Sequence, residues 1–578
     1  MTVPGPRQAA LPPSSFTELL RDRAELTPDR PAIIVDGVAE LTFADWDRRA
    51  DAAAHRLRAF EPARLRRVAL LFGGDAWADF AVAYHAVQRV GATAIHLNDR
   101  MPGEEIARRL VQCGANGILH ADGLRPPEGF TGWTAPLGSL EGAADDAPAR
   151  PDAARPPVRP DAIADILYSS GTTGPAKAVT VTHANMMHGR ARPTIDALGS
   201  SEHLLSAMPL GTSSSQGTIS LPLLSDSVLV AASLSDEPDR IAELAARYRV
   251  GSLMITPATA RALVLARVHE RHDLSGVTTV TSASAVFPAA VARRLLAMLP
   301  GASLATAYTS IEASPAVVLN VFDPGHPLCA GFPAPGTDVV ITDERQQPLP
   351  TGEVGEIWLG TDAPQRRYLD TLLDRQAHVG RWTRMGDLGS LDDQGRLHFF
   401  DRAADAVRSD GRLVSTVQVE SVLYDHPEVR EAAVIGLPHP GSGEETTAVV
   451  VLSSAAVLPE VQDFAKSRLE PHQIPGRYLV TDALPRSFLG KVLKRELRRI
   501  HTTPSPRSHH EAADRHAAEP EEPAVPLDPE LLDVLGCPEH PDAGLRHDAD
   551  HSALTCADCG RRYPVLRGIP VLLPGAGE

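Results

Sequence analysis

The stretch Tyr168-Ser169-Ser170-Gly171-Thr172-Thr173-Gly174-Pro175-Ala176-Lys177 gathers the groups that hold a polyanion. Its glycines let the backbone turn sharply and approach an anion, its hydroxyls donate hydrogen bonds, and its lysine neutralises charge. Those are the needs of a nucleotide phosphate, yet the Gly-Lys-Ser/Thr ending of a P-loop and the helix it opens are missing. The competing reading is an ordinary Ser/Thr/Gly turn. Lysine stands only at 177, 466, 491 and 494, with arginine carrying nearly all the other positive charge. A lysine kept in such a chain suggests a place wanting a compact, flexible point charge, the alternative being chance.

The cysteines are equally uneven. Cys113 and Cys329 stand alone, whereas Cys537, Cys556 and Cys559 crowd the last stretch. Cys537-Pro538-Glu539-His540, fifteen residues, then Cys556-Ala557-Asp558-Cys559 has the spacing of a closed, structural zinc site. A small hydrophobic unit with buried thiols is the alternative, and His547 or His551 are substitutes for His540 as the fourth ligand.

The elements that must position these groups alternate. Ser15 and Glu18 form a capping box that opens a helix after Pro12-Pro13. Pro31 to Val35 reads as a strand, Ala44 to about Arg58 as an amphipathic helix, Val68 to Phe72 and Ser252 to Ile255 as strands, and Ala78 to Val90 and Thr259 to His269 as helices. The alternation predicts an α/β fold class. Residues 141–160 read as a surface loop, and His501 to Pro526, poor in large apolar residues, as a flexible linker. The unit beyond it is small enough to need a staple. The linker is expected at 501–528 and the small terminal unit at 529–578.

With 578 residues and 43% hydrophobic content the chain can bury several cores. Its formal charge of -17, from 73 acidic and 56 basic residues, is the reverse of a nucleic-acid footprint. Met1 to Leu20 lacks an apolar core after a basic lead, and no uninterrupted apolar run reaches ~18 residues, so a cytoplasmic protein without a membrane span is expected.

The phosphate loop resembles the signature of the adenylate-forming superfamily of acyl-CoA synthetases, peptide-synthetase adenylation domains and luciferases, and the likeness extends over roughly residues 14–500. The resemblance implies a large multi-subdomain N-terminal domain at 14–401 and a small mobile α+β domain at 402–500, ahead of the appended zinc ribbon. It also implies ATP bound by Ser169, Ser170, Gly171, Thr172, Thr173, Gly174 and Lys177, with Ala178 where the family has Gly. Tyr308-Thr309-Ser310-Ile311-Glu312 resembles the family's Tyr-Gly-x-Thr-Glu, which implies Tyr308 packed on adenine and Glu312 holding Mg²⁺. Here Ile311 removes a hydroxyl that relatives place near the α-phosphate. Met385-Gly386-Asp387-Leu388 resembles Thr-Gly-Asp-Leu, making Asp387 the ribose anchor, since two acceptor oxygens suit a vicinal diol. Arg402 matches an arginine that touches ribose and phosphate, while Ala403 and Ala404 replace a polar hinge pair. Leu484 to Arg495 resembles the closing loop ending Gly-Lys, and Lys491 is the catalytic expectation, an ammonium bridging substrate carboxylate and α-phosphate. Lys494 is expected on a helix surface, and Thr351 to Ile357 in a structural strand.

Relatives carry an aromatic and a His near Met208-Pro209-Leu210-Gly211-Thr212, but this chain does not, and Ser213 to Gly217 either shapes an unusual acid pocket or is a loop. The Thr281 to Ala285 segment stands where relatives set a strand end against adenine. The implied activity is ATP-dependent activation of a small carboxylic acid and transfer to a thiol, from coenzyme A or a carrier protein. Transfer to an amine or a small inorganic nucleophile such as nitrite is the first alternative, and a degenerate nucleotide-binding scaffold acting through its ribbon is the second. The ribbon resembles the short zinc proteins that activate RNA and protein methyltransferases, which implies a docked partner protein.

Overall fold

The computed structural model describes residues 14–60, 65–141, 158–169, 176–190, 201–233, 236–282, 286–441, 443–487, 490–502, 536–537, 540–547, 553–566 and 569–570. Most of the expected 141–160 loop and of the linker, and Leu531 to Leu535, lie outside them. The chain divides into two compact units, 1–504 and 505–578.

Ser15 caps the helix Phe16–Leu26, its hydroxyl accepting from the Glu18 amide, while the Glu18 carboxylate returns to Ser14 instead of closing the box on Ser15. The apolar runs read as strands assemble two sheets. One carries Gly117–His120, Arg67–Phe72, Thr93–Asn98 and Ile163–Tyr168 in parallel, then turns antiparallel through Ala178–Thr182 and Arg367–Tyr368. In the other, Pro31–Val35, Val228–Ala231, His203–Ser206, Ser252–Met254, Thr279–Ser282 and Ser303–Tyr308 run parallel. From Ser303–Tyr308 onward its pairing is antiparallel, through Val318–Val321, Cys329–Pro333, Leu397–Arg402, Trp382–Leu391 and Gly355–Thr361. Strands buried on both faces need no alternation, and Thr93–Asn98 is buried at every position. The main core lies between the sheets, with Trp46, Trp77, Tyr84 and Phe80 wholly buried.

A smaller sheet, built on Val429–His439 and Gly443–Leu452, packs the helices Thr416–Asp425 and Leu458–Lys466 on one apolar cluster and Lys494–Thr502 on another. Two expectations change. The helix read to His269 stops at Leu265, because Arg267 takes a left-handed φ of 51° before a short 3-10 turn. His501 and Thr502 belong to a helix and not to the linker. In the second unit, His540–His547, Ala553–Cys556 and Arg562–Leu566 form an antiparallel ribbon.

Candidate active site

The phosphate segment joins two antiparallel strands, Ile163–Tyr168 and Ala178–Thr182, so a strand and not a helix follows it. Its base is closed by Ser169: its amide donates to the Lys177 carbonyl and its hydroxyl accepts from the Lys177 amide, both at 3.0 Å. Ser170, Gly171, Thr172, Thr173 and Gly174 lie outside the described residues. Lys177 is exposed, its Nζ 5.6 Å from the centre of the Tyr368 ring.

Tyr308 ends the last parallel strand of the large sheet, where the pairing direction reverses, and open α/β sheets commonly bind ligands beyond such strand ends. Its hydroxyl donates to Asp387 Oδ2 at 2.8 Å. Asp387 and Arg402 face each other across the Trp382–Leu391 and Leu397–Arg402 pair. Burial raises the Asp387 carboxyl to about 6 against the opposing pull of Arg402 and the Tyr308 hydrogen bond. It is therefore mostly ionised at neutral pH, an acceptor fit for a diol. Burial and Asp387 push the Tyr308 hydroxyl well above its ordinary pKa, keeping it a donor.

Four residues after Tyr308, the Glu312 carboxylate accepts from the Tyr368 hydroxyl at 2.7 Å. Ile311, where relatives have a hydroxyl, packs against the main core instead. Glu312, Tyr368 and Lys177 thus form one chain of contacts.

The Lys491 loop reaches the same region from the small lobe. Its hairpin is closed by the Ser487 amide donating to the Lys491 carbonyl at 2.8 Å and by Arg486 on the Gly490 carbonyl at 2.6 Å. Arg486 and Arg261, the latter on the large-lobe helix Pro257–Leu265, grip Glu431 from both sides at 2.7 and 2.8 Å. Burial and the nearby Arg402 guanidinium hold Lys491 down to about 8, so the ammonium lies within electrostatic reach of Arg402.

Lys494 corrects an expectation. It does not sit on a helix surface: its Nζ pairs with Glu420 at 2.7 Å and donates to Thr416 Oγ1 at 2.6 Å, and Thr416 Oγ1 in turn donates to buried Asp401 at 2.7 Å. Arg498, a turn further along, pairs with Asp405 at 2.8 Å. The residues flanking the expected hinge are thereby tied to the helix that follows Lys491. Composition offered one signal for Lys494, the rarity of lysine, but none for Tyr368, Arg366 or Asn185.

Ser213 to Gly217 is no loop: with Thr212 as its N-cap it begins the helix Ser213–Leu224. Gly211 has a φ of +70°, and a Cβ there would lie 2.2 Å from the Leu97 carbonyl oxygen, which excludes any side chain at this position. Thr281 and Ser282 end their strand, and 283–285 lie outside the described residues.

In the ribbon, ligand atoms of Cys537, His540, Cys556 and Cys559 all lie within 4.8 Å of one another. Three soft thiols and one imidazole, gathered so closely, suit tetrahedral zinc. The Tyr563 hydroxyl, 3.1 Å from Cys537 Sγ, is placed to support that sulfur.

Residues 20–369 match the family described as AMP-binding enzyme, 418–491 the AMP-binding enzyme C-terminal domain, and 528–568 the Trm112p-like proteins. A feruloyl-CoA synthase of an Amycolatopsis species is 31% identical over 490 residues, covering 82% of this chain and 97% of the relative. Among solved structures, o-succinylbenzoate coenzyme A synthetase from Bacillus subtilis, in complex with ATP and magnesium ion, matches at TM-score 0.72 and 24% identity, covering 83% of this chain and 98% of that one. An amide bond synthetase from Marinactinospora thermotolerans matches at TM-score 0.74 and 23% identity, covering 85% and 100%. The chain belongs to the AMP-binding enzyme family. By that membership it is an AMP-forming acid ligase, carrying a Trm112p-like ribbon at its C-terminal end. Among the described residues no helix is long and apolar enough to cross a membrane.

Proposed function

We propose that this ligase activates a small carboxylic acid as its acyl adenylate, releasing pyrophosphate, and transfers the acyl group to a thiol of coenzyme A or a carrier protein. The carrying observation is the group formed by Tyr308 and Asp387 of the large lobe with Arg402 at the lobe boundary, whose charge Lys491 of the small lobe feels. In this reading the Asp387 carboxylate accepts from the ribose hydroxyls and Arg402 steadies ribose and phosphate. The segment from Ser169 to Lys177, with Ser170, Gly171, Thr172, Thr173 and Gly174, wraps the phosphates. Glu312 would hold Mg²⁺, which supplies charge neutralisation on the phosphates. Lys491 draws the substrate carboxylate towards the α-phosphate and stabilises the charge that builds as pyrophosphate leaves. We assign 14–401 to the large domain, 402–502, through the end of its last helix, to the mobile one, 503–528 to a linker and 529–578 to the zinc ribbon. Use of ATP and free thiols fits a cytoplasmic setting.

The thiol acceptor draws support from the feruloyl-CoA synthase likeness. Transfer to an amine or nitrite is the second reading, favoured by Ala403 and Ala404 where relatives have a polar hinge. The scaffold reading is disfavoured by the joint retention of Lys491, Asp387 and Glu312. For the ribbon, partner docking rests on the Trm112p-like match. A panel of acids supplied with ATP, Mg²⁺ and coenzyme A tests the acceptor: thioester should accumulate with pyrophosphate. Pyrophosphate and adenylate without thioester would favour the second reading.

A further inference from the structure

Arg366 is buried to 5% exposure, and all three of its named acceptors are neutral. Its Nε donates to Asn185 Oδ1 at 2.8 Å, Nη1 to the Ile311 carbonyl at 3.2 Å, and Nη2 to Gln216 Oε1 at 3.4 Å. Burying a guanidinium against amides and a carbonyl is costly, so the arrangement calls for a use. Asn185, 2% exposed, donates from Nδ2 to the carbonyls of Ser314 and Pro364 at 2.9 and 2.8 Å. The two residues therefore hold the backbone on both sides of Glu312, at Ile311 and at Ser314.

The turn is held elsewhere too. Ile311 sits against the main core, the Ala313 amide donates to Ser310 Oγ at 3.2 Å, and Tyr368, two residues beyond Arg366, donates to the Glu312 carboxylate. Because Arg366 and Tyr368 lie on one short segment, the backbone and the side chain of Glu312 are set by the same piece of chain. Gln216 continues the network to Asp165, which also accepts from Tyr84 at 3.0 Å, so the clamp is anchored in the interior of the first sheet. The Glu312 carboxylate and Arg366 lie within electrostatic reach, and burial with Arg190 nearby lowers the guanidinium only to about 10, leaving it charged at neutral pH.

We propose that Arg366 and Asn185 are positioning residues for Glu312: by fixing the Ile311 and Ser314 carbonyls they set the carboxylate where a divalent cation meets the nucleotide phosphates. The proposal rests on the magnesium role read above for Glu312. A family-like hydroxyl at 311 is absent, and the clamp works from behind the turn, through backbone that a substitution at 311 leaves in place. A carboxylate held in one orientation needs no reorganisation when the cation arrives, which is the general advantage of a supported ligand.

The test uses the full chain and binding of ATP titrated across a range of Mg²⁺ concentrations, followed by calorimetry, so that no acid is needed. In Arg366→Met the Mg²⁺ midpoint for ATP binding should rise about fivefold or more, with ATP affinity in the absence of Mg²⁺ unchanged within about twofold. Asn185→Ala, which spares the guanidinium, should shift the midpoint the same way. Should Arg366→Met fail to fold, Arg366→Lys keeps the charge without the three-way fork and should give a smaller shift in that direction. Glu312→Gln separates this inference from the reading beneath it. If Glu312→Gln moves the midpoint while the folded clamp variants leave it in place, the clamp is overturned alone. If Glu312→Gln leaves it in place as well, the magnesium role falls and the clamp with it.

Discussion

Raising the pH should switch off adenylate formation through one ammonium. Burial and Arg402 hold Lys491 down to about 8 in the free protein. At that value its protonated fraction falls from about 0.9 near pH 7 to about 0.1 near pH 9, so kcat/KM for ATP should drop roughly tenfold over that interval. The limb in kcat should lie higher, because the bound triphosphate favours the charged lysine. On the acid side, Asp387 at about 6 loses its charge as the pH falls, so the kcat/KM profile should be a bell between the two groups. The assay is continuous pyrophosphate release with an accepted acid, at fixed ionic strength and saturating Mg²⁺. Lys491→Arg keeps a cation throughout, so it should be slower at every pH yet lose the alkaline limb. An alkaline limb at the same midpoint in Lys491→Arg, or a parent profile flat to about pH 10, would refute the assignment.

Lys494→Met should strand Glu420 and Asp401 without their cation in a buried setting and cost the small lobe about 3–5 kcal/mol in urea unfolding; a loss below about 1 kcal/mol would mean that solvent screens the pair. Gly211→Ala forces a Cβ against the Leu97 carbonyl at a left-handed φ, so it should destabilise by more than about 2 kcal/mol, and an unchanged unfolding midpoint would contradict that geometry. Purified protein should carry zinc that Cys556→Ala abolishes, together with the ribbon's protection from proteolysis; protection retained without metal would favour a core of thiols alone.

Much of this was legible in residue order, and the exceptions share a cause. Periodicity found the helix Phe43–Phe60 and the strand Arg67–Phe72 within a residue or two, because each buries an apolar face that repeats locally. It ran the helix expected from Thr259 past its true end at Leu265, since a left-handed Arg267 leaves no mark on hydropathy. Lys494 was expected on a helix surface. The fold gives that surface place to Lys466, which faces Asp463 at an exposed helix end, and seals Lys494 beneath Glu420 and Thr416. Tyr368, Arg366 and Asn185 were invisible because their importance comes from partners distant in sequence: Tyr368 meets Glu312 and Arg366 meets Asn185 through tertiary packing, which neither spacing nor composition encodes. The motifs around Asp387, Arg402 and Lys491 were readable because the resemblance carried them.

The most direct measurement is acid-dependent pyrophosphate release by the full chain, parent against Lys491→Ala, across a library of small carboxylic acids. At least one acid should drive release in the parent, and the variant should be slower by about a hundredfold or more while binding ATP with similar affinity. Equal rates in the two proteins would contradict the catalytic role of Lys491.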